Sequence, residues 1–171
     1  APRPAFLTAT LMACLVGLAG AWHDGLAFEV TLALVTLLFA LLAHAGVNVL
    51  NDYYDALNGT DAQNTGRVFP FTGGSRFIQN GVLSVRATGS FGYALLAAVV
   101  PAGLYLTAVS GAGLVWIGLA GLAAGWAYSA PPLKLQSRGL GEFGITAAWL
   151  RSVVGSDFVQ RHGCSFASVA S

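Results

Sequence analysis

Charge is what this chain has least of: 9% of its 171 residues are charged, where a soluble domain carries about 25%. With 56% hydrophobic residues and a mean hydropathy of +0.69, that scarcity excludes a soluble globular domain and calls for a membrane. Cysteine is nearly absent as well. Cys14 and Cys164 stand far apart among apolar or small residues, which excludes metal-ligand spacing and a disulfide framework and leaves small buried thiols. No linker, low-complexity tract or separate polar domain is visible. The net charge of +1 identifies no partner, and no nucleic-acid partner is expected. The first apolar run lacks a clear cleavage site and more apolar runs follow it, so it is expected to be a membrane anchor rather than a signal peptide.

What is present is a series of apolar runs of membrane-crossing length. An all-α, polytopic transmembrane helix bundle is expected, with about five spans: residues 4–22, 28–50, 88–109, 114–129 and 140–159. Residues from Cys164 onward are a candidate start of a sixth. Trp22 suits the interface after the first span, and His23, Asp24 and Gly25 turn the chain before Glu29. Pro101 is a candidate kink in the third span. The fourth is rich in Gly and Ala and can pack closely, and Pro131 and Pro132 stop it. The loop after the second span holds Arg67, Arg76 and Arg86, and the loop after the fourth holds Lys134 and Arg138. The turns after the first and third hold no Lys or Arg. The positive-inside rule then places the N-terminus and both long loops in the cytoplasm.

Residues 44–55, HAGVNVLNDYYD, are the focus. No charge lies between Glu29 and Asn51, and then Asn51, Asp52 and Asp55 arrive together. At about 100° per residue, His44, Asn48, Asn51, Asp52 and Asp55 share one helical stripe, while Tyr53 and Tyr54 point elsewhere. Carboxamides and carboxylates on a membrane helix are costly in hydrocarbon, so they should line a cavity and bind something. Downstream, Gly73 and Gly74 permit close backbone approach to a ligand, and Arg76 beside them suits an anion.

These groups suit one kind of chemistry. Mg²⁺ takes one or two carboxylates plus phosphate oxygens. Arg67, Arg76, Lys134 and Arg138 suit the phosphates themselves. Acids, bases and an apolar membrane cavity together imply an amphiphile with a diphosphate head and a hydrocarbon tail. The metal and the cations would stabilise departing diphosphate, and the cavity would keep water from an allylic cation. Blander roles exist for each part. The acids could cap a helix end, and Arg86, Lys134 and Arg138 could serve topology alone. Tyr53 and Tyr54 suit an interface, and His44 suits a hydrogen bond within the packing. Glu142 suits a helix N-terminus and could orient Lys134 or Arg138. Arg151, inside the fifth span, has no evident partner, and Asp157 is isolated there. A cation or proton transporter is the reading from another class, although its site belongs near the bilayer midplane. A non-catalytic scaffold would not gather ligand-type residues on one face.

Asn51-Asp52-Tyr53-Tyr54-Asp55 followed by Asp61 resembles the first aspartate-rich motif of the UbiA superfamily of intramembrane aromatic prenyltransferases. Residues 76–84 resemble its basic segment, and Tyr128–Lys134 with Arg138–Glu142 resemble its second cytoplasmic loop. The Asn-Asp-Tyr-Tyr-Asp form, Asp61 six residues after Asp55, and the Gly-Glu after Arg138 are most similar to the 1,4-dihydroxy-2-naphthoate polyprenyltransferases of menaquinone biosynthesis. The resemblance implies a nine-helix bundle, Mg²⁺ as cofactor, and transfer of a polyprenyl group from its diphosphate to an aromatic acceptor within the bilayer of the cytoplasmic membrane. It implies Asn51 and Asp55 as metal ligands at the catalytic centre and Asp52 and Asp61 as supporting acids. It implies Arg67, Arg76, Tyr128, Lys134 and Arg138 as diphosphate contacts. Other acceptors of the same chemistry are 4-hydroxybenzoate, homogentisate and haem. The family's second aspartate-rich motif is missing, so residues 1–171 are expected to be the N-terminal part of a single prenyltransferase domain, inactive alone.

Overall fold

Five α-helices follow one another: α1 (Pro4–His23), α2 (Val30–Asn58), α3 (Val85–Ser110), α4 (Gly113–Ser129) and α5 (Gly141–Arg161), with a 3-10 turn at Leu135–Arg138 before α5. This is a computed structural model, and it describes residues 4–59, 77–78 and 80–163. No strand occurs among the described residues. The expected all-helical bundle is what the chain forms. Residues from Cys164 on, the candidate sixth span, lie outside the described residues.

Each helix has a local cause for its limits. α2 starts from Glu29 in an extended conformation and runs through its apolar stretch without a charge. It does not stop where the apolar run stops. It continues two turns further, until Gly59 adopts φ 71° and its N–H reaches back to the carbonyls of Ala56 and Asp55, a C-terminal cap that glycine makes without steric penalty. Ahead of α3, the Val82 N–H donates to the Phe77 carbonyl at 2.8 Å. There Ser84 caps the helix by accepting from the Ala87 N–H at 3.1 Å. Pro101 lies inside α3, which nevertheless runs on to Ser110; neighbouring helices make such a missing donor tolerable in a membrane. α4 ends at Ser129, ahead of Pro131 and Pro132, which cannot continue a helix ladder. Glu142 in the first turn of α5 meets the favourable end of the helix dipole.

α2 packs chiefly along α3, and α1 along α5, while α4 lies against α5 and α2. The α2–α3 seam interlocks through paired glycines. A methyl group on Gly46 would lie 2.8 Å from the Leu96 side chain, and one on Gly92 would lie 2.8 Å from that of Leu50. Each helix thus offers a notch to the other's leucine, and the backbones approach closely. Leu32, Leu106 and Val159, with Val35 and Leu114, close the core where four helices meet. Three helices, α1, α2 and α3, are long and apolar enough to cross a membrane. α4 is apolar but shorter, at 17 residues, and α5 carries Glu142, Arg151, Asp157 and Arg161. Leu34, Leu38, Trp116 and Phe143 are exposed, the surface expected of helices in hydrocarbon.

The end of the bundle at the α1–α2 turn is held by charge. Arg161 Nε bonds Asp157 at 2.6 Å, and its Nη2 bonds Asp24 at 2.5 Å. Asp157, isolated in the sequence, is therefore paired one helical turn away, and it is almost wholly buried. The Asp24 carboxyl is held below the ordinary carboxylate range, first by the hydrogen bond from Arg161 and then by His23. Gln160 grips the start of α2 twice: it accepts from the Glu29 N–H at 2.9 Å and donates to the Glu29 carbonyl at 3.1 Å.

Candidate functional site

The opposite end of α2 carries the acidic face. Because the helix persists to Asn58, residues 51, 52 and 55 hold the stripe that their spacing implies, and Asp52 and Asp55 are both buried. Three contacts from the chain that follows α4 fix this face. The Ser129 hydroxyl donates to Asn51 Oδ1, the Gln136 amide donates to Asp55 Oδ1, and Lys134 Nζ donates to Asn58 Oδ1 at 2.7 Å. Lys134 reaches this position on a left-handed backbone, φ 43°. Its ammonium has three donors, and the bond to Asn58 uses one of them. Arg138 is exposed and donates through Nη2 to the Pro132 carbonyl at 2.9 Å. Glu142 orients neither base: the partners of Lys134 and Arg138 are Asn58 and Pro132.

The structure therefore brings Asn51, Asp52, Asp55, Lys134 and Arg138 to one end of the bundle, with Tyr128 beside them at the end of α4. Asp61, Arg67 and Arg76 lie outside the described residues. Arg86 lines a groove of about 780 Å³ with Tyr53 and Tyr93. The tyrosines serve the α2–α3 seam: Tyr53 lies over Gly89, and the Tyr54 and Tyr93 hydroxyls are bonded at 2.6 Å. Ser129, Gln136 and Asn58 were not singled out from sequence. Asn58 had a signal, since it lies three residues after Asp55 and extends the same stripe.

A cavity of about 590 Å³ opens inward from this face. Asn51 and Tyr128 stand in its wall, with Val47, Val99, Leu104, Leu119 and Leu122 among the aliphatic lining. His44 and Thr10 also line it, bonded to one another at 2.6 Å. Arg151 and Asn48 line it too, as do Thr36, Thr107, Ser152 and Ser156. Arg151 Nε and Nη2 and Asn48 Nδ2 are buried and have no hydrogen-bond partner among the described residues. No three His, Cys, Asp or Glu side chains gather as a metal site among those residues. The acidic face offers two carboxylates and a carboxamide.

An acid-lined helix end above an apolar membrane cavity meets its counterpart in sequence comparison. The pattern of the UbiA prenyltransferase family matches residues 10–162. This chain belongs to the UbiA prenyltransferase family. A curated relative is the 1,4-dihydroxy-2-naphthoate octaprenyltransferase of Mycobacterium leprae (strain TN), 29% identical over 129 residues. That alignment covers 75% of this chain and 42% of the relative, so the chain spans less than half the length of the UbiA family protein that it matches. No solved structure gives a significant match.

Proposed function

We propose that this chain is the N-terminal part of a membrane prenyltransferase that moves a polyprenyl group from an allylic diphosphate to 1,4-dihydroxy-2-naphthoate, in menaquinone biosynthesis. The observation that carries the reading is the continuity at Asn51 between a carboxylate-bearing helix end and an apolar cavity. A diphosphate head and a hydrocarbon tail need those two surroundings side by side. An ion pathway would place its acids near the bilayer midplane, whereas Asp52 and Asp55 lie in the last two turns of α2.

The donor set fits Mg²⁺, which takes one or two carboxylates together with phosphate oxygens. Asn51 and Asp55 would hold it, with Asp52 and Asp61 in support. When bound, Mg²⁺ neutralises charge that develops on the diphosphate as its bond to carbon breaks. The chain's own cations work on the same charge. Lys134 keeps donors beyond its bond to Asn58, and Arg138 has donors beyond its bond to Pro132. With Arg67, Arg76 and Tyr128 they would receive the phosphate oxygens. The C–O bond breaks with its electron pair left on the diphosphate. A ring carbon of the acceptor supplies the pair for the new C–C bond, and the naphthoate then loses its carboxyl as carbon dioxide. The apolar walls exclude the water that would otherwise capture the allylic cation. The protein would lie in the cytoplasmic membrane, crossing it repeatedly, with its N-terminus and both long loops in the cytoplasm. Residues 1–171 alone would be inactive.

The test is Mg²⁺-dependent transfer from a labelled polyprenyl diphosphate, in membranes that contain the full-length parent protein. 1,4-Dihydroxy-2-naphthoate and 4-hydroxybenzoate are offered side by side. A prenylated, decarboxylated naphthol is the expected product. Product from the benzoate alone would replace the acceptor, and transfer to neither would overturn the reading.

A further inference from the structure

Among the described residues, Arg151 is the one Lys, Arg, Asp or Glu in the cavity wall, and nothing in the chemistry above uses it. It lies ten residues into α5 from Gly141, about 15 Å along the helix axis. Asp55, by contrast, is bonded to Gln136, just ahead of α5. The guanidinium therefore sits well inside the bundle rather than among the groups proposed for the diphosphate. A charge at that depth is costly unless something answers it.

Its geometry says what would answer it. Nε and Nη2 are the two nitrogens of one guanidinium edge, and their N–H bonds run parallel. Both are buried without a hydrogen-bond partner among the described residues. A parallel pair of donors matches the two oxygens of a carboxylate. Asn48 Nδ2, in the wall of the same cavity, is a further buried donor without a partner there. The cavity thus has surplus donors, and its occupant must bring acceptors. Most of the remaining wall is apolar, with Phe6, Phe39 and Trp149 among it, which suits a flat ring. A volume of about 590 Å³ lies within the usual range for small-molecule pockets.

We propose that Arg151, through its Nε–Nη2 edge and with Asn48, holds the carboxylate of an aromatic acid in this cavity. The inference rests on the prenyltransferase reading for the identity of the acid as the acceptor. It makes Arg151 the residue that selects acids over uncharged phenols. One guanidinium in a largely apolar chamber suits a single carboxylate, whereas a diphosphate needs several cations, such as those proposed above.

The test uses the purified full-length parent protein in lipid nanodiscs, and measures binding rather than turnover. The probes are 1-hydroxy-2-naphthoate, 1-naphthol, which lacks the carboxylate, and geranylgeranyl diphosphate. The native protein should bind the naphthoate about 100-fold more tightly than the naphthol, the scale of a buried hydrogen-bonded charge pair. Arg151→Gln should lose that preference while its affinity for naphthol and for the diphosphate stays unchanged. No preference for the acid in the native protein overturns the proposal, whatever the variant does. So does an Arg151→Gln protein that keeps the preference, or one that loses the diphosphate instead. Arg151-dependent acid binding without prenyl transfer would keep this inference and sink the transferase reading. Prenyl transfer with acid preference intact in Arg151→Gln would do the reverse.

Discussion

Where α1 turns into α2, charge meets charge: Arg161 spans Asp157 and Asp24, and Gln160 clamps the Glu29 backbone. At the other end of α2, a hydroxyl and a side-chain amide take part in holding the acidic face. Ser129 holds Asn51, Gln136 holds Asp55, and Lys134 rests on the Asn58 amide. The first arrangement neutralises buried charge and ties three segments together. The second orients oxygen atoms of Asn51 and Asp55 and seats the Lys134 ammonium on an amide oxygen. One end is a fastening, and the other is the face proposed to exchange partners with a ligand.

The largest expected effect breaks that contrast at the ligand end. In the full-length protein, Asp55→Asn should lower Mg²⁺-dependent kcat/KM by about 10³-fold or more, the scale of losing one charge-stabilising group, while thermal unfolding stays near native. Unchanged kinetics would remove Asp55 from the site. Arg161→Met should do the opposite. It strands the buried Asp157 carboxylate, which should cost about 3 kcal/mol of stability in a denaturant titration and leave KM for the diphosphate alone. A shift in that KM would mean that the two ends are not separate devices. Lys134→Met should be milder, raising KM for the polyprenyl diphosphate about tenfold, the scale of one lost charge-assisted bond, with little change in unfolding. The smallest effect concerns pH. Because the folded state lowers the Asp24 pKa, its contribution is complete above the unfolded value of about 3.9. It is lost as the pH falls through the lower folded value. Asp24→Asn should lower stability by a constant amount at neutral pH and flatten the stability profile below about pH 4; an identical profile would show that the Asp24 bond does not contribute.

Much of this was legible in the sequence. The five helices stand where the apolar runs put them, although only three meet the length and hydropathy of a membrane span, and the stripe at Asn51, Asp52 and Asp55 followed from helical spacing alone. The end of α2 did not follow, because hydropathy marks where a chain leaves hydrocarbon and not where its hydrogen-bond ladder stops. Gly59 stops it, eight residues beyond Asn51. The contacts of Ser129, Gln136 and Lys134 with α2 join residues 76 to 81 positions apart, and no local pattern encodes such a pairing. Arg161 and Asp157 are four residues apart on one helix, so that pair could have been read from spacing. Asp24, its third member, could not.

The length of α2 also acts as a measuring rod. The 21 residues from Val30 to Leu50 rise about 32 Å, close to the roughly 30 Å of a bilayer's hydrocarbon. With its start, held by Gln160, at one surface, its last eight residues, Asn51 to Asn58, would emerge at the depth of the opposite lipid phosphates. A lipid-like donor would meet the acids at the level its own head already occupies. Its search would run in two dimensions, with no step in which the tail is lifted out of the oil.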